Sequence, residues 1–138
     1  MAEPQGDSGK PPQFTDQLAY WRSLKQQAEG GTFRLDPDLA QALRNRAETM
    51  RKHLEEDLLI TARKLAHLDG FGTLPSSLAL KQAFEQKADG APDSAVNQYK
   101  AAIDIVTTMR DTYDTVIQKL LAQDHASAVA IGKTTEGA

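Results

Sequence analysis

The chain has 138 residues, no cysteine and a formal net charge of −3. This length is enough for one domain with one modest core. The absence of cysteine excludes disulfides and thiolate metal sites. The small negative charge argues against nucleic-acid binding, which a strong positive field usually drives.

The composition favours helical packing. Aromatic residues make up only 6 % of the chain, so we expect a core of Leu, Ala, Ile and Val, which suits helices better than a β-sandwich. No apolar run approaches the roughly 20 residues needed to span a bilayer, and the first residues lack the apolar segment of a Sec-type signal peptide. We therefore predict no stable membrane insertion and a cytoplasmic protein, with secretion by a signal-peptide-independent route left open.

Two polar tails are predicted to flank a domain at residues 15–131. Residues 1–14 are rich in Pro and Gly and hold almost no apolar side chains, so they are predicted to be disordered. The same prediction applies to the tail "GKTTEGA" at residues 132–138.

The domain is predicted to begin with a short helix from about Thr15 to the pair Gly30-Gly31. This helix either docks on the main body through Tyr20 and Trp21, or it is a mobile partner-binding arm. Docking is favoured, because two large aromatic side chains left in water would form an adhesive patch. The apolar face of the helix is formed by Phe14, Leu18, Trp21, Leu24 and Ala28.

The stretch "FRLDPDLAQAL" predicts the start of a second, much longer helix. Asp36 can accept hydrogen bonds from the first free N–H groups, Pro37 suits the first helical position, and Asp38 complements the helix dipole. One apolar stripe then continues to about Asp69, which predicts a helix at residues 37–69 of roughly 50 Å. The stripe consists of Leu39, Leu43, Ala47, Met50, Leu54, Leu58, Ala62, Leu65 and Leu68.

The segment "HLDGFGTLPS" predicts a sharp turn after this helix. Gly70 supplies the left-handed conformation that closes a helix, and Gly72 frees a second backbone position. Pro75 prevents the first helix from continuing and suits the start of another. Phe71 is expected to fold back and cover the end of a two-helix core.

The second arm of the chain is predicted to contain a break. A helix starts near Ser76, stops at "ADGAPDSA" (residues 88–95), and resumes after a cap at Asp93 or Ser94 to about Ala126, with fraying to Ile131. Two apolar stripes fit this last helix. One consists of Val96, Tyr99, Ile103, Val106, Arg110, Tyr113, Ile117 and Leu120. The preferred one avoids the arginine and consists of Ala102, Val106, Met109, Tyr113, Val116 and Leu120.

The sequence thus predicts an all-α fold, an antiparallel helical hairpin of two long helices with an extra short N-terminal helix and a broken second arm. Such a hairpin is expected to expose more apolar surface than two helices can cover. It would then form a homo- or hetero-dimer of hairpins, as a four-helix bundle. The candidate residues for this partner interface are Leu43, Met50, Leu54, Ile103, Val106, Met109, Tyr113, Ile117 and Leu120.

No catalytic, cofactor-binding or metal-binding residues are predicted, and a non-enzymatic protein is expected. His53 and His67 lie about 21 Å apart on one helix, too far to share a metal, and His125 stands alone. Three successive carboxylates in "HLEED" are expected to pair with Arg51 and Lys52 in a solvated charge ladder. The segment "GFG" lacks the other parts of a phosphate-binding loop.

Charge differs between the two long helices. Basic side chains are spread along the first helix and acidic ones along the last, which indicates either attraction between antiparallel neighbours or steering of a charged partner. The basic residues are Arg44, Arg46, Arg51, Lys52, Arg63 and Lys64. The acidic residues are Asp104, Asp111, Asp114 and Asp124.

The segments "FRLDPDLAQAL", "GFGTLPSSLALKQAFEQKA" and "YDTVIQKLLAQD", between residues 33 and 126, together resemble actinobacterial members of the WXG superfamily. These are small helical-hairpin proteins linked to type VII (ESX) secretion. The chain departs from the family pattern in two places. Phe71-Gly72 stands at the turn where the family has Trp-X-Gly, and Tyr113 is followed four residues later by Ile117, where the family's secretion signal has an acidic residue.

The resemblance implies a helical partner-binding protein that is secreted or escorts a secreted effector. The missing signal leaves open a cytosolic adaptor or immunity-type protein that binds a toxin domain. A cofactor- or metal-binding bundle enzyme is the least favoured alternative.

Overall fold

The structure is a computed structural model that describes residues 12–136, with side chains described for residues 14–132. Its secondary structure consists of α1 (Pro12–Glu29), α2 (Pro37–Lys52), a π-helical stretch (His53–Leu58), α3 (Leu59–Lys64), α4 (Pro75–Ala88) and α5 (Ala95–Glu136). The π-helical stretch continues α2 and leads into α3 without a break, so residues 37–64 form one helix, here named the long helix. The predicted all-α character is confirmed.

The predicted tails are only partly covered by the described residues. Residues 1–11 and 137–138 lie outside them. Helix α1 begins at Pro12, so residues 12–14 are helical where the sequence predicted disorder; a proline suits the first helical position. Helix α5 continues to Glu136, so residues 132–136 are helical where the sequence predicted disorder. Extending an existing helix orders one residue for each new hydrogen bond, which is much easier than starting one.

Helix α1 docks on the body of the protein, as predicted. The ring of Trp21 meets the ring of Tyr113 edge to face, with centroids 5.7 Å apart. Ala28, near the end of α1, is fully buried beside Val116. The helix ends at the predicted pair of glycines, where Gly31 adopts φ +79°. The aromatic pair therefore attaches α1 to α5, although Tyr20 itself remains 60 % exposed.

The long helix starts as the sequence predicted. The Oδ2 atom of Asp36 accepts a hydrogen bond from the N–H of Leu39 at 3.3 Å, and Pro37 occupies the first turn. Its contacts with α5 follow reverse sequence order, from Ala40 with Val116, through Arg44 with Asp114, to Ala62 with Val96. The two helices therefore run in opposite directions where they touch.

The π-helical stretch shifts by one residue which sequence positions of the long helix are buried after Leu54. Leu54 and Leu59 are both buried, although five residues separate them. In a regular α-helix that spacing would place them on different faces, whereas the N–H of Leu59 bonds to the carbonyl of Leu54 in the wider π turn. The predicted stripe assumed a regular period, and it named Leu58 in place of Leu59. Of its members, Leu39, Met50 and Leu65 are exposed.

The turn after the long helix differs in part from the prediction. The long helix ends at Lys64, five residues early, because the next N–H groups bond to carbonyls only three residues back and tighten the chain. Gly70 and Gly72 do adopt positive φ, at +87° and +76°. Phe71 does not cover the end of a two-helix core; its half-buried ring packs against Phe84 of α4 at 6.3 Å.

Helix α4 starts at Pro75 and ends at Ala88, and α5 follows a cap at Ser94, all close to the predicted positions. The Oγ atom of the buried Ser94 accepts a hydrogen bond from the N–H of Asn97 at 3.3 Å. Asp93, the other predicted cap, pairs with Lys87 at 2.8 Å, and this hydrogen bond lowers its pKa.

Helix α5 is enclosed on more than one side. Between residues 95 and 117, every residue except Lys100 and Asp104 is buried or half-buried. This burial requires two partners, which are α1 and the long helix. Ala101, Ile105 and Thr112 are buried although neither predicted stripe included them. The tightly packed body of the protein is therefore centred on α5.

Candidate functional site

The feature best suited to binding is an apolar groove between α2 and α5, here named the α2–α5 groove. It has a volume of about 410 Å³ and opens on the surface of the protein. It is lined by Leu43, Arg46, Ala47 and Met50 from α2 and by Val106, Met109 and Tyr113 from α5.

Helical spacing explains how these side chains come together. Leu43, Ala47 and Met50 follow one another by four and three residues, as do Tyr113, Met109 and Val106 in the reverse direction. Residues at this spacing share one face of a helix. Because the two helices are antiparallel, both faces open toward the same side of the protein. Each wall extends about 10 Å, or two turns of helix.

Tyr113 lies between the groove and α1. Its side chain is only 7 % exposed, and one face of it is covered by Trp21. Burial, followed by the neighbouring hydroxyl of Tyr20, raises the pKa of Tyr113 above its usual value. The phenol therefore stays neutral at physiological pH and keeps its O–H as a hydrogen-bond donor.

Beyond Tyr113 the same face of α5 is used for packing within the protein. Ile117 and Leu120 lie four and seven residues beyond Tyr113. They pack, like Phe33 and Leu35 of the connection between α1 and α2, against the buried cluster around Val116. At the level of Met50 the groove joins a second recess of about 470 Å³, lined by Asn45, Arg46, Thr49, Met50 and His53.

The polar rim of the groove contains one arginine that differs from its neighbours. The side chain of Arg46 makes no hydrogen bond or ion pair within the described part of the chain. By contrast, Arg44 pairs with Asp114 at 3.0 Å and Arg110 pairs with Glu48 at 2.8 Å. No carboxylate lines the α2–α5 groove or the adjoining recess. The rim therefore offers an unneutralised positive charge.

An ionic network lies next to the groove and crosses the contact between α2 and α5. Glu48 accepts hydrogen bonds from Arg51 at 2.7 Å and from Arg110 at 2.8 Å, and its side chain is 18 % exposed. The bonds from Arg51, and then those from Arg110, lower the pKa of Glu48 from 4.5 to about 2. Arg110 therefore does lie in the contact between the helices. The preferred stripe placed it outside, because the sequence alone does not show that Glu48 neutralises it.

The nine predicted interface residues divide into two groups. Five of them, Leu43, Met50, Val106, Met109 and Tyr113, line the α2–α5 groove. The other four lie among the chain's own packing contacts. Leu54 is buried, and Ile103 packs with Leu59, Ala62 and Val96. Ile117 and Leu120 pack against the buried cluster of Ala28, Ala40 and Val116.

Two features were missed from the sequence. Arg46 was counted only among the basic residues of its helix, although its position midway between Leu43 and Met50 places it on the groove face. A second apolar surface lies at α4, where Leu65, Leu68, Phe84, Lys87 and Ala88 line a recess of about 410 Å³. Leu74, Leu78 and Leu80 are exposed nearby. The sequence showed an apolar face for α4 but not that it would remain largely uncovered.

The residues considered for chemistry lie apart from this groove, with the exception of His53 in the adjoining recess. Arg51 pairs with Glu55, which confirms part of the predicted charge ladder, whereas Lys52 makes no ion pair within the described part of the chain. His53 pairs with Asp57 at 2.9 Å. Among residues 12–136, no three His, Asp or Glu side chains are grouped as a metal site would need. Within the same range no helix is both long and apolar enough to cross a membrane.

Comparison with known proteins returned no match: no family model, no curated protein and no solved structure is significantly similar to this chain.

Proposed function

We propose that this chain is a non-enzymatic, helical partner-binding protein that uses the α2–α5 groove to pair with itself or with another helical protein. The observation that carries the proposal is the convergence of five predicted interface residues on one open apolar groove. The groove floor and both walls are apolar over about two helical turns, which suits the apolar face of a partner helix. On this proposal the antiparallel contact between the long helix and α5 acts as a helical hairpin that presents the groove.

The proposed association with type VII secretion has a separate basis. It rests on the resemblance of residues 33–126 to WXG proteins, in particular on Asp36-Pro37 and on the Gly70-Phe71-Gly72 turn. In this setting the protein would be a secreted substrate or an escort for one. The missing acidic residue after Tyr113 favours the alternative, a cytosolic adaptor or immunity-type protein bound to a toxin domain.

The binding role is tested by sedimentation velocity of the purified chain, alone and mixed with the products of neighbouring genes. Met109→Asp replaces an apolar contact in the groove with a carboxylate that must lose its hydration when a partner packs on it. This variant should therefore weaken association by at least about tenfold. Leu121→Asp is the matched control. Leu121 is 64 % exposed and lies outside the groove, so this variant should associate like the wild type.

The outcomes separate the two parts of the proposal. A chain that stays monomeric at every concentration and binds none of these products would contradict the binding role. Helical content, measured by circular dichroism, must match between the two variants for the comparison to hold. Export is tested independently. Appearance in the culture filtrate that depends on the type VII machinery would reject the cytosolic adaptor, whereas retention in the cytosol with groove-dependent binding would favour it.

A further inference from the structure

The partner of the α2–α5 groove has recognisable chemistry. We infer that the groove binds a short amphipathic helix of another protein that carries an acidic side chain facing Arg46. This inference rests on the proposed function, because it identifies the occupant of the same groove. Three observations support it: the length of the groove, its methionines and its unneutralised charge.

The length of the groove favours a short helix over a second copy of this chain. The α2 and α5 walls, at residues 43–50 and 106–113, each match three apolar anchors at positions i, i+3 or i+4, and i+7 of a bound helix. The lined stretch covers about two helical turns on each wall, whereas the long helix of this chain spans residues 37–64. A second copy would leave most of its long helix outside the groove. The apolar anchors of a short helical segment match the groove length.

The methionines favour a helical ligand. The chain has three methionines, and the two that follow Met1 are Met50 and Met109, on opposite walls of the groove. Methionine is unbranched and polarisable, so it repacks around different apolar side chains, and binding grooves for amphipathic helices use it in this way. Met50 is 50 % exposed and therefore free to change rotamer when a ligand binds.

The charge favours an acidic helix. Arg46 lines both the groove and the adjoining recess, has no ion-pair partner among the described residues, and meets no carboxylate in either lining. A carboxylate on the ligand would accept hydrogen bonds from Arg46 and neutralise its charge. A lysine in the same place would face Arg46 with like charge.

The test is fluorescence anisotropy with the full-length chain and two labelled peptides. Each peptide has about 18 residues, enough for a stable amphipathic helix when bound, with leucines at i, i+4 and i+7. One peptide carries glutamates beside the leucines, and the other carries lysines at the same positions. We expect the glutamate peptide to bind roughly threefold to tenfold more tightly, and the preference to shrink as salt screens the charges.

Variants test whether the preference for the glutamate peptide arises in the groove. Arg46→Glu should reverse the preference, so that the lysine peptide binds more tightly. Met109→Asp should abolish binding of both peptides. Arg63→Glu is the matched control. Arg63 is exposed on α3, outside the groove, so the same charge reversal there should leave the preference unchanged. Matching circular dichroism spectra confirm that each variant is folded.

The results that overturn this inference differ from those that overturn the proposed function. If the two peptides bind equally, if Arg46→Glu does not change this, and if Met109→Asp abolishes binding, the acidic ligand is rejected. The groove would then still be the binding site. If neither peptide binds and the chain forms a homodimer that Met109→Asp dissociates, a second copy occupies the groove. This result overturns the inference of a short acidic helix. Absence of both peptide binding and groove-dependent association rejects the inference and the proposed function together.

Discussion

Replacing Glu48 with glutamine should destabilise the contact between α2 and α5. The substitution keeps the shape of the side chain but removes the negative charge that Arg51 and Arg110 share. Both arginines are partly buried, with side chains about one-fifth exposed. Each would then keep only a more exposed partner, Glu55 for Arg51 and Asp111 for Arg110. Glutamine can accept a hydrogen bond from one of them but cannot neutralise either.

The size of the effect follows from the pKa of Glu48. Its fall from 4.5 to about 2 corresponds to an upper bound of about 3 kcal/mol in the free energy of unfolding. Solvent still reaches the network, and screening reduces this to about 1–2 kcal/mol. Because the folded pKa lies below the unfolded one, the contribution is fully present above pH 4.5. It is lost as the pH falls from 4.5 through about 2.

Urea unfolding followed by circular dichroism measures this contribution. At pH 7 the Glu48→Gln variant should be less stable than the wild type by about 1–2 kcal/mol, and the difference should shrink as the pH falls toward 2. Glu55→Gln is the control. Glu55 also contacts Arg51, but it is 51 % exposed and does not reach α5, so its loss should cost less than about 0.5 kcal/mol. Equal losses in the two variants, or a difference that does not change with pH, would refute the role given to Glu48.

Three further predictions concern packing and backbone geometry. Leu59→Ala should lower the free energy of unfolding, measured in urea, by about 2–4 kcal/mol, and Leu58→Ala should lower it distinctly less. The reason is that the π-helical stretch buries Leu59 in place of Leu58. Equal losses in the two variants would argue against the π geometry. Trp21→Ala should lower the free energy of unfolding by about 2–4 kcal/mol through loss of the ring contact with Tyr113. An unchanged melting temperature would mean that α1 does not dock. Gly72→Ala should lower the free energy of unfolding by about 1 kcal/mol, because an alanine is strained at the φ of +76°. The strain is the whole effect, since nothing lies within 4 Å of the added methyl group. A gain in thermal stability would contradict the left-handed turn.

The features that the sequence predicted well are those controlled by neighbouring residues. Three helix ends were predicted correctly because each depends only on residues within four positions of that end. They are the cap at Asp36, the stop at Gly31 and the cap at Ser94. The apolar face of α1 was also correct, since a short regular helix keeps a simple period. The all-α fold class followed from such local signals.

The features that were missed depend on distant residues or on an irregular period. The pairing of Arg110 with Glu48 joins positions 62 apart, and no local pattern indicates it. The burial of Leu59 requires a π turn, whose wider spacing a regular stripe cannot represent. The prediction of surplus apolar surface compared the apolar faces with what two long helices can cover, whereas α1 and the connection at Phe33 also cover part of that surface. The α2–α5 groove is the part that remains open.

The π-helical stretch also affects how the gene for this chain can vary. A π turn amounts to one residue inserted into an α-helix, and the helix on either side keeps its orientation. Deleting a single exposed position such as Glu56 should therefore restore a regular helix and leave Leu54 and Leu59 facing α5. The same deletion inside Pro37–Lys52 would rotate all later side chains of the long helix by about 100° relative to α5. Length variation in the long helix is thus expected to be tolerated only between His53 and Leu58.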